Sequence, residues 1–365
     1  MRIKVIDGFR AIAVLGVLWS HTWKFSGTPP CTYLKIDIAK IMNFFGTGVD
    51  LFFVISGFCM FLMYNQHKPA MSFSYYGGYL KKRWFRIAPA FYAAVIFYGL
   101  AAVGYNLKLF DWSYALKHIL FIKNFFTDAT RYAPHFWSLC TEWHFYMLLP
   151  FIIVGIERFK FINILIIVII ACLIFRLIVW QQNNDLYNLV NYSIPNRLIE
   201  FIMGILTAKV YLSNSKAWIF NTIKGLLTGV LIAFAGRVLM TAANHDRTDI
   251  IGTLSRTFDL PLLTLGFGLV ITNALRKRTL FSSFLETGLM TSIGKYSYSM
   301  YLWHYVVAVQ LSNYAALHWH FNSFIKVNIV FIVAVLILYP VSILSYKLFE
   351  SFYFMRKKTI MPDIA

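Results

Sequence analysis

Acidic residues are scarce in this chain, with 15 Asp and Glu among 365 residues against 34 Lys and Arg. Charged side chains of both signs make up only 13% of the sequence, about half of the roughly 25% that soluble proteins carry. A chain this poor in charge and 59% apolar does not cover a water-facing surface, which excludes an ordinary soluble globule. Cysteine is sparse as well. Cys31, Cys59, Cys140 and Cys172 form no CxxC pair and have no metal-ligand spacing with histidine, which argues against a disulfide scaffold or a zinc site. No metal is expected. Low-complexity tracts and sequence repeats are missing too, so residues 1–350 read as a single membrane domain and residues 351–365 as a short cytoplasmic tail. No cleavable leader is expected, because the first apolar run is interrupted by Arg10 and ends at His21 without a small-residue cleavage site.

What the chain has instead is a succession of apolar stretches of about 20 residues, the length that crosses a bilayer as a helix. They predict an all-α, polytopic transmembrane bundle of about ten spans, near 6–25, 44–64, 87–106, 137–156, 161–180, 195–212, 219–240, 254–275, 293–312 and 324–348. The stretch from Leu107 to Pro134 is too polar to span, and Tyr114 to Phe126 suits an interfacial or re-entrant helix.

The net charge of +19 is spread in short clusters between apolar runs, so it argues for a membrane edge with anionic headgroups and not for nucleic acid. Lys81, Lys82, Arg83 and Arg86, then Arg158 and Lys160, then Arg276, Lys277 and Arg278, then Arg356, Lys357 and Lys358 fall on one side. The positive-inside rule makes that side, and both termini, cytoplasmic. The loops near 181–194 and 313–323 carry no Lys or Arg. Lys108, Lys117, Lys123 and Arg131 between two spans mean that the rule holds only in aggregate.

Ionisable groups at membrane depth are costly, about 2.5 to 3.5 kcal/mol each on insertion scales, and mark a polar interior. The first span holds Arg10 and His21, eleven residues apart, on nearly the same helix face and separated by about 16 Å along the axis. The run Gly48-Val49-Asp50-Leu51-Phe52-Phe53-Val54-Ile55-Ser56-Gly57-Phe58 adds an acid, a hydroxyl and a glycine that permits close backbone approach. Lys82, Arg83 and Arg86 precede Pro89, which suits a helix start, so an anion is expected there. In Trp137 to Tyr146, Glu142 and Tyr146 share a face at i, i+4, and His144 points away. Arg197 can pair with Glu200, and Arg256 with Asp259, at i, i+3. Ser297, Tyr301 and His304 form one polar stripe. Either a catalytic cavity or the proton relay of a secondary transporter or acyl-group exporter accommodates such a set.

Taken in order, Arg10 with His21, the Gly48 to Phe58 run, Arg83 to Pro89, Trp137 to Tyr146 and Gly294 to His304 resemble the acyltransferase-3 family of membrane acyltransferases. That family O-acetylates bacterial surface polysaccharides, lipopolysaccharide among them. The resemblance implies a multi-pass enzyme of the cytoplasmic (inner) membrane that takes an acyl group, usually acetyl, from acetyl-CoA or another acyl-CoA. The acceptor it implies is a hydroxyl of a glycan or lipid-linked sugar. By position His21 is the catalytic histidine, with Arg10, Asp50 and Glu142 beside it in the chemistry. Arg10, Lys82, Arg83, Arg86 and Ser56 are expected to serve the donor, and Tyr146, Arg197, Tyr301 and His304 are further candidates. Lys82 stands where many relatives have arginine, which loses bidentate geometry at a phosphate. No hydrolase-like domain is seen after the last span, so transfer is expected to finish within the membrane domain or on a separate partner. Either Asp50 or Glu142 is expected to orient the imidazole, and an acyl-histidine intermediate is chemically allowed.

Overall fold

A computed structural model of the protein describes residues 3–33, 36–67, 73–126, 132–180, 191–213, 215–242, 250–319 and 323–351. The loop at 181–190, the Arg356-Lys357-Lys358 cluster and all of the expected tail but Ser351 lie outside the described residues.

The described chain is mainly helical, with one antiparallel ladder, Thr32–Tyr33 (β1) with Ile36–Asp37 (β2), in which Thr32 faces Asp37 and Tyr33 faces Ile36. The helices are α1 (Lys4–Phe25), α2 (Ile38–Met42), α3 (Gly48–His67), α4 (Phe73–Ala102), α5 (Trp112–Ile119), α6 (Trp137–Arg158) and α7 (Phe161–Trp180). They continue with α8 (Ile194–Leu212), α9 (Ile223–Ala242), α10 (Ile250–Arg276), α11 (Leu280–Leu285), α12 (Gly288–Lys295), α13 (Ser297–His318) and α14 (Ser323–Ser345). Ten of these have 19 residues or more. Seven, built on α3, α4, α6, α7, α9, α10 and α14, are long and apolar enough to cross a membrane. Leu231 of α9 and Leu336 of α14 are 69% and 67% exposed, an apolar exterior that suits lipid.

Two expected boundaries are corrected. The span placed at 87–106 begins at Phe73, so Lys82, Arg83, Arg86 and Pro89 lie inside α4 and the cations do not sit at a helix start. The preceding turns are aromatic and cationic, a composition that snorkels at a membrane edge and that a hydropathy window leaves out. The span placed at 293–312 is interrupted at Tyr296 (φ −98°, ψ 8°), which ends α12, and α13 starts afresh at Ser297.

The chain divides into two compact units, Met1–Phe52 with Pro89–Phe91 and Arg278–Ala365, and Phe53–Ala88 with Tyr92–Lys277. In the first, α1 packs against α12, α13 and the 3₁₀ turn Asn43–Thr47. In the second, α9 and α10 pair along their lengths, and α8 packs against α6, α7 and α10.

Small residues set how closely helices approach within the second unit. A Cβ on Gly57 would stand 2.1 Å from the Phe201 carbonyl oxygen, and one on Gly204 the same 2.1 Å from the Val54 carbonyl oxygen. The two glycines therefore let α3 and α8 meet backbone to backbone, as small-residue contacts do in membrane bundles. Gly57→Leu is expected to abolish recovery of folded protein and Gly57→Ala to lower its thermal midpoint, read by size-exclusion chromatography and thermal unfolding. Wild-type behaviour of Gly57→Ala would contradict this contact.

Candidate active site

In the first unit, α1 carries the candidates Arg10 and His21, eleven residues apart. Arg10 donates to the buried Asp7 carboxylate, Nη1 to Oδ1 at 3.2 Å, one turn earlier on the same helix. Asp7 escapes a reading of the sequence because it lies at the extreme start of the first span, where an acid passes for a helix-terminus charge. His21 lies one turn before the end of α1, partly buried, and Nδ1 of its ring is 2.7 Å from Nε2 of His304 on α13. His304 is itself buried, with Nδ1 2.6 Å from the carbonyl oxygen of Tyr301.

These distances fix who donates when both rings are neutral. A backbone carbonyl only accepts, so Nδ1 of His304 carries its proton and Nε2 is left as an acceptor. Nδ1 of His21 must then donate to it, which leaves Nε2 of His21 with a free lone pair. Phe25 and Tyr305 close around the His21 ring, with centroids 5.9 Å away. The expected stripe is present, with Ser297, Tyr301 and His304 all buried. Asp50 is buried near the start of α3. The partner found at Nδ1 of His21 is thus a second histidine, where a carboxylate of Asp50 or Glu142 was expected.

Glu142 belongs to the second unit, on α6. Its Oε1 accepts from the Ser56 hydroxyl on α3 and from the Tyr146 hydroxyl one turn along α6, both at 2.6 Å. The guanidinium of Arg83 lies 5.7 Å from the Tyr146 ring centre and 5.8 Å from that of Tyr79. Arg83 Nη2 also reaches the Met63 sulfur at 3.1 Å, and its buried Nε has no hydrogen-bond partner among the described residues. Lys82 and Arg86 are exposed on α4. Four of the candidate residues, Ser56, Arg83, Glu142 and Tyr146, therefore form one cluster, with Lys82 and Arg86 on the exposed side of α4.

A second buried network in this unit is structural in its pattern. Arg197 donates to Glu200 at 2.8 Å and stacks on Trp137 at 4.8 Å. Asp259 pairs with Arg176 of α7 at 2.6 Å. Arg176 also donates to the Asn196 amide oxygen at 2.7 Å and to the Arg256 carbonyl. Arg176 is a lone cation near the end of an otherwise apolar run, so its sequence gives it the look of a snorkelling residue. Outside the spans, burial pushes the His118 imidazole of α5 down to about 3, and the nearby Lys123 ammonium adds to that effect. Among the described residues no group of three His, Cys, Asp or Glu side chains is arranged to hold a metal ion.

Comparison with known proteins gives this geometry its context. O-acetyltransferase OatA of Staphylococcus aureus strain NCTC 8325 is 26% identical over 341 residues, covering 85% of this chain and 51% of the relative. A protein of S. aureus strain COL, provisionally named an O-acetyltransferase, is 24% identical over 337 residues with the same two coverages. The chain thus spans about half the length of the curated relatives it matches. No solved structure matches it. Residues 3–347 match the acyltransferase domain that defines the acyltransferase-3 family. With that match spread over nearly every helix described above, the chain belongs to the acyltransferase-3 family.

Proposed function

We propose that this multi-pass membrane protein is an O-acyltransferase. It takes an acyl group, acetyl in the first instance, from a cytoplasmic acyl-CoA and places it on a hydroxyl of a surface glycan or lipid-linked sugar. It works in the cytoplasmic membrane with ten spans and both termini inside. The family and the O-acetyltransferase names of the relatives support the reaction class. The observation that carries the reading is the chain from His21 Nδ1 to His304 Nε2 and from His304 Nδ1 to the Tyr301 carbonyl.

In this reading Nε2 of His21 takes the proton of the acceptor hydroxyl as that oxygen attacks the thioester carbonyl carbon. The carbon–sulfur bond then breaks, the departing thiolate takes the proton back from the imidazolium, and an ester remains on the acceptor. While His21 is an imidazolium, its Nδ1–H bond to His304 is charge-assisted and stronger than in the resting state. His304 is therefore a positioning residue that favours the transition state over the ground state. Lys82 and Arg86 offer cations to the donor's phosphates from the exposed side of α4, with Arg83 facing inward, and Arg10 serves the donor on α1. Ser56, Glu142 and Tyr146 form a polar lining in the second unit, while Asp50 and Arg197 support the two units' interiors.

The test is a pair of variants at His304. His304→Leu removes the acceptor for Nδ1–H, and losing the orientation of a catalytic group is expected to lower kcat about 100-fold with KM for the donor little changed. His304→Gln supplies an amide oxygen near the position of Nε2 and is expected to restore a substantial part of that loss. Equal, small effects of both variants on kcat would remove the histidine pair from the mechanism.

A further inference from the structure

The segment from Tyr105 to Phe126, between α4 and α6, is turned inside out relative to a water-facing loop. Three of its polar side chains point inward, while Asn106, Lys108 and Ser113 are exposed. His118 and Asn124 are buried with Lys123, whose ammonium donates to the Ala133 carbonyl at 3.0 Å. Asn124 Nδ2 lies 2.8 Å from the Trp137 carbonyl and 2.7 Å from the Tyr192 carbonyl. Phe110, Tyr114 and Phe121 pack inward with them, but most of its large apolar side chains point outward, with Leu107 67%, Trp112 71% and Leu116 56% exposed, followed by Leu120 and Phe125 at 53% and 50%. A loop bathed in water has the reverse arrangement, so what lies outside this segment is apolar.

The segment does not cross a bilayer, because α5 has eight residues and reaches about 12 Å, against a hydrocarbon core of about 30 Å. An element that is apolar on its outer face and too short to span lies along the boundary between acyl chains and headgroups. Its orientation is enforced at both ends of the apolar face. Tyr105 and Phe121 both adopt left-handed backbone angles, φ 61° and 58°, a region that bulky residues seldom enter. Asp111 caps α5 by accepting from the Tyr114 amide at 3.0 Å. Ile96, on the apolar span α4 that leads into this segment, is likewise 49% exposed. Lys108 beside this apolar face is exposed, a cation that suits the phosphates of a headgroup layer.

We infer that Leu107 to Phe126 is an interfacial element that seats Trp112, Leu116 and Leu120 in the lipid surface of one leaflet while its polar face closes over the start of α6. This inference is independent of the reaction proposed above.

Nitroxide labels report on it in the full-length protein in lipid nanodiscs. Cys31 and Cys59 are replaced by serine, and the buried Cys140 and Cys172 stay as a background checked for unwanted labelling. Single cysteines are placed at the exposed positions Trp112, Ser113, Leu116 and Leu120, with folding of each variant checked by size-exclusion chromatography. Labels at Trp112, Leu116 and Leu120 are expected to collide with oxygen more than with a water-soluble nickel chelate, and the ratio to reverse at Ser113. Higher chelate than oxygen accessibility at Trp112, Leu116 and Leu120 would overturn the inference in favour of a water-facing loop. Immobilised labels shielded from both reagents would overturn it in favour of a second protein or another copy of this chain.

Discussion

His21→Ala is expected to abolish acyl transfer while leaving a protein that inserts and purifies like the wild type. The substitution removes one polar group from α1 and no apolar packing larger than an imidazole. What it takes away is the one nitrogen, Nε2, that the His304 and Tyr301 contacts leave as a proton acceptor. Loss of a general base typically costs about 100-fold to 10,000-fold in rate, and loss of an obligatory nucleophile costs more. Transfer of labelled acetyl to the cell's own glycan, with folding checked by size-exclusion chromatography, measures this. Substantial turnover by folded His21→Ala would remove His21 from the chemistry and send the search to His304 and His144.

Arg176→Leu is expected to lower stability sharply. Arg176 is 4% exposed and holds the Asp259 carboxylate, the Asn196 amide and the Arg256 carbonyl, so α7, α8 and α10 converge on one guanidinium. Removing it takes the cation away from a buried carboxylate, a change that costs about 3 to 5 kcal/mol when one partner of a buried pair is deleted. Removing the carboxylate as well, in Arg176→Leu with Asp259→Leu, is expected to recover much of the loss, because an apolar pair is often as stable as the ion pair it replaces. Thermal unfolding of the detergent-purified variants reads both effects. A single variant as stable as the wild type would mean that the network is peripheral to the fold.

The helical bundle was legible because a bilayer demands long apolar runs, and that demand is written locally in each helix. Local spacing likewise revealed the Glu142 and Tyr146 pair at i, i+4, the Arg197 and Glu200 pair at i, i+3, and the close backbone approach at Gly57. The contacts that were not legible join distant parts of the chain. His304 meets His21 across 283 positions, and Arg176 meets Asp259 across 83, so no window of sequence holds both partners. Ser56 appeared as a hydroxyl on a greasy helix, but its partner Glu142 lies 86 residues away. The early start of α4 stayed hidden for a different reason. Its first turns are tyrosines and cations, whose average hydropathy resembles a loop although their apolar stems belong to the membrane edge.

The central claim, that this protein moves an acyl group from a thioester to a hydroxyl, meets its most direct test in purified protein in detergent, where no ion gradient exists. With radiolabelled acetyl-CoA and the cell's own glycan, the expected result is an alkali-labile ester on the glycan and one free CoA thiol for each acetyl transferred. Neither ester nor thiol in that assay, together with gradient-driven solute accumulation in sealed vesicles, would contradict the account and point to a transporter.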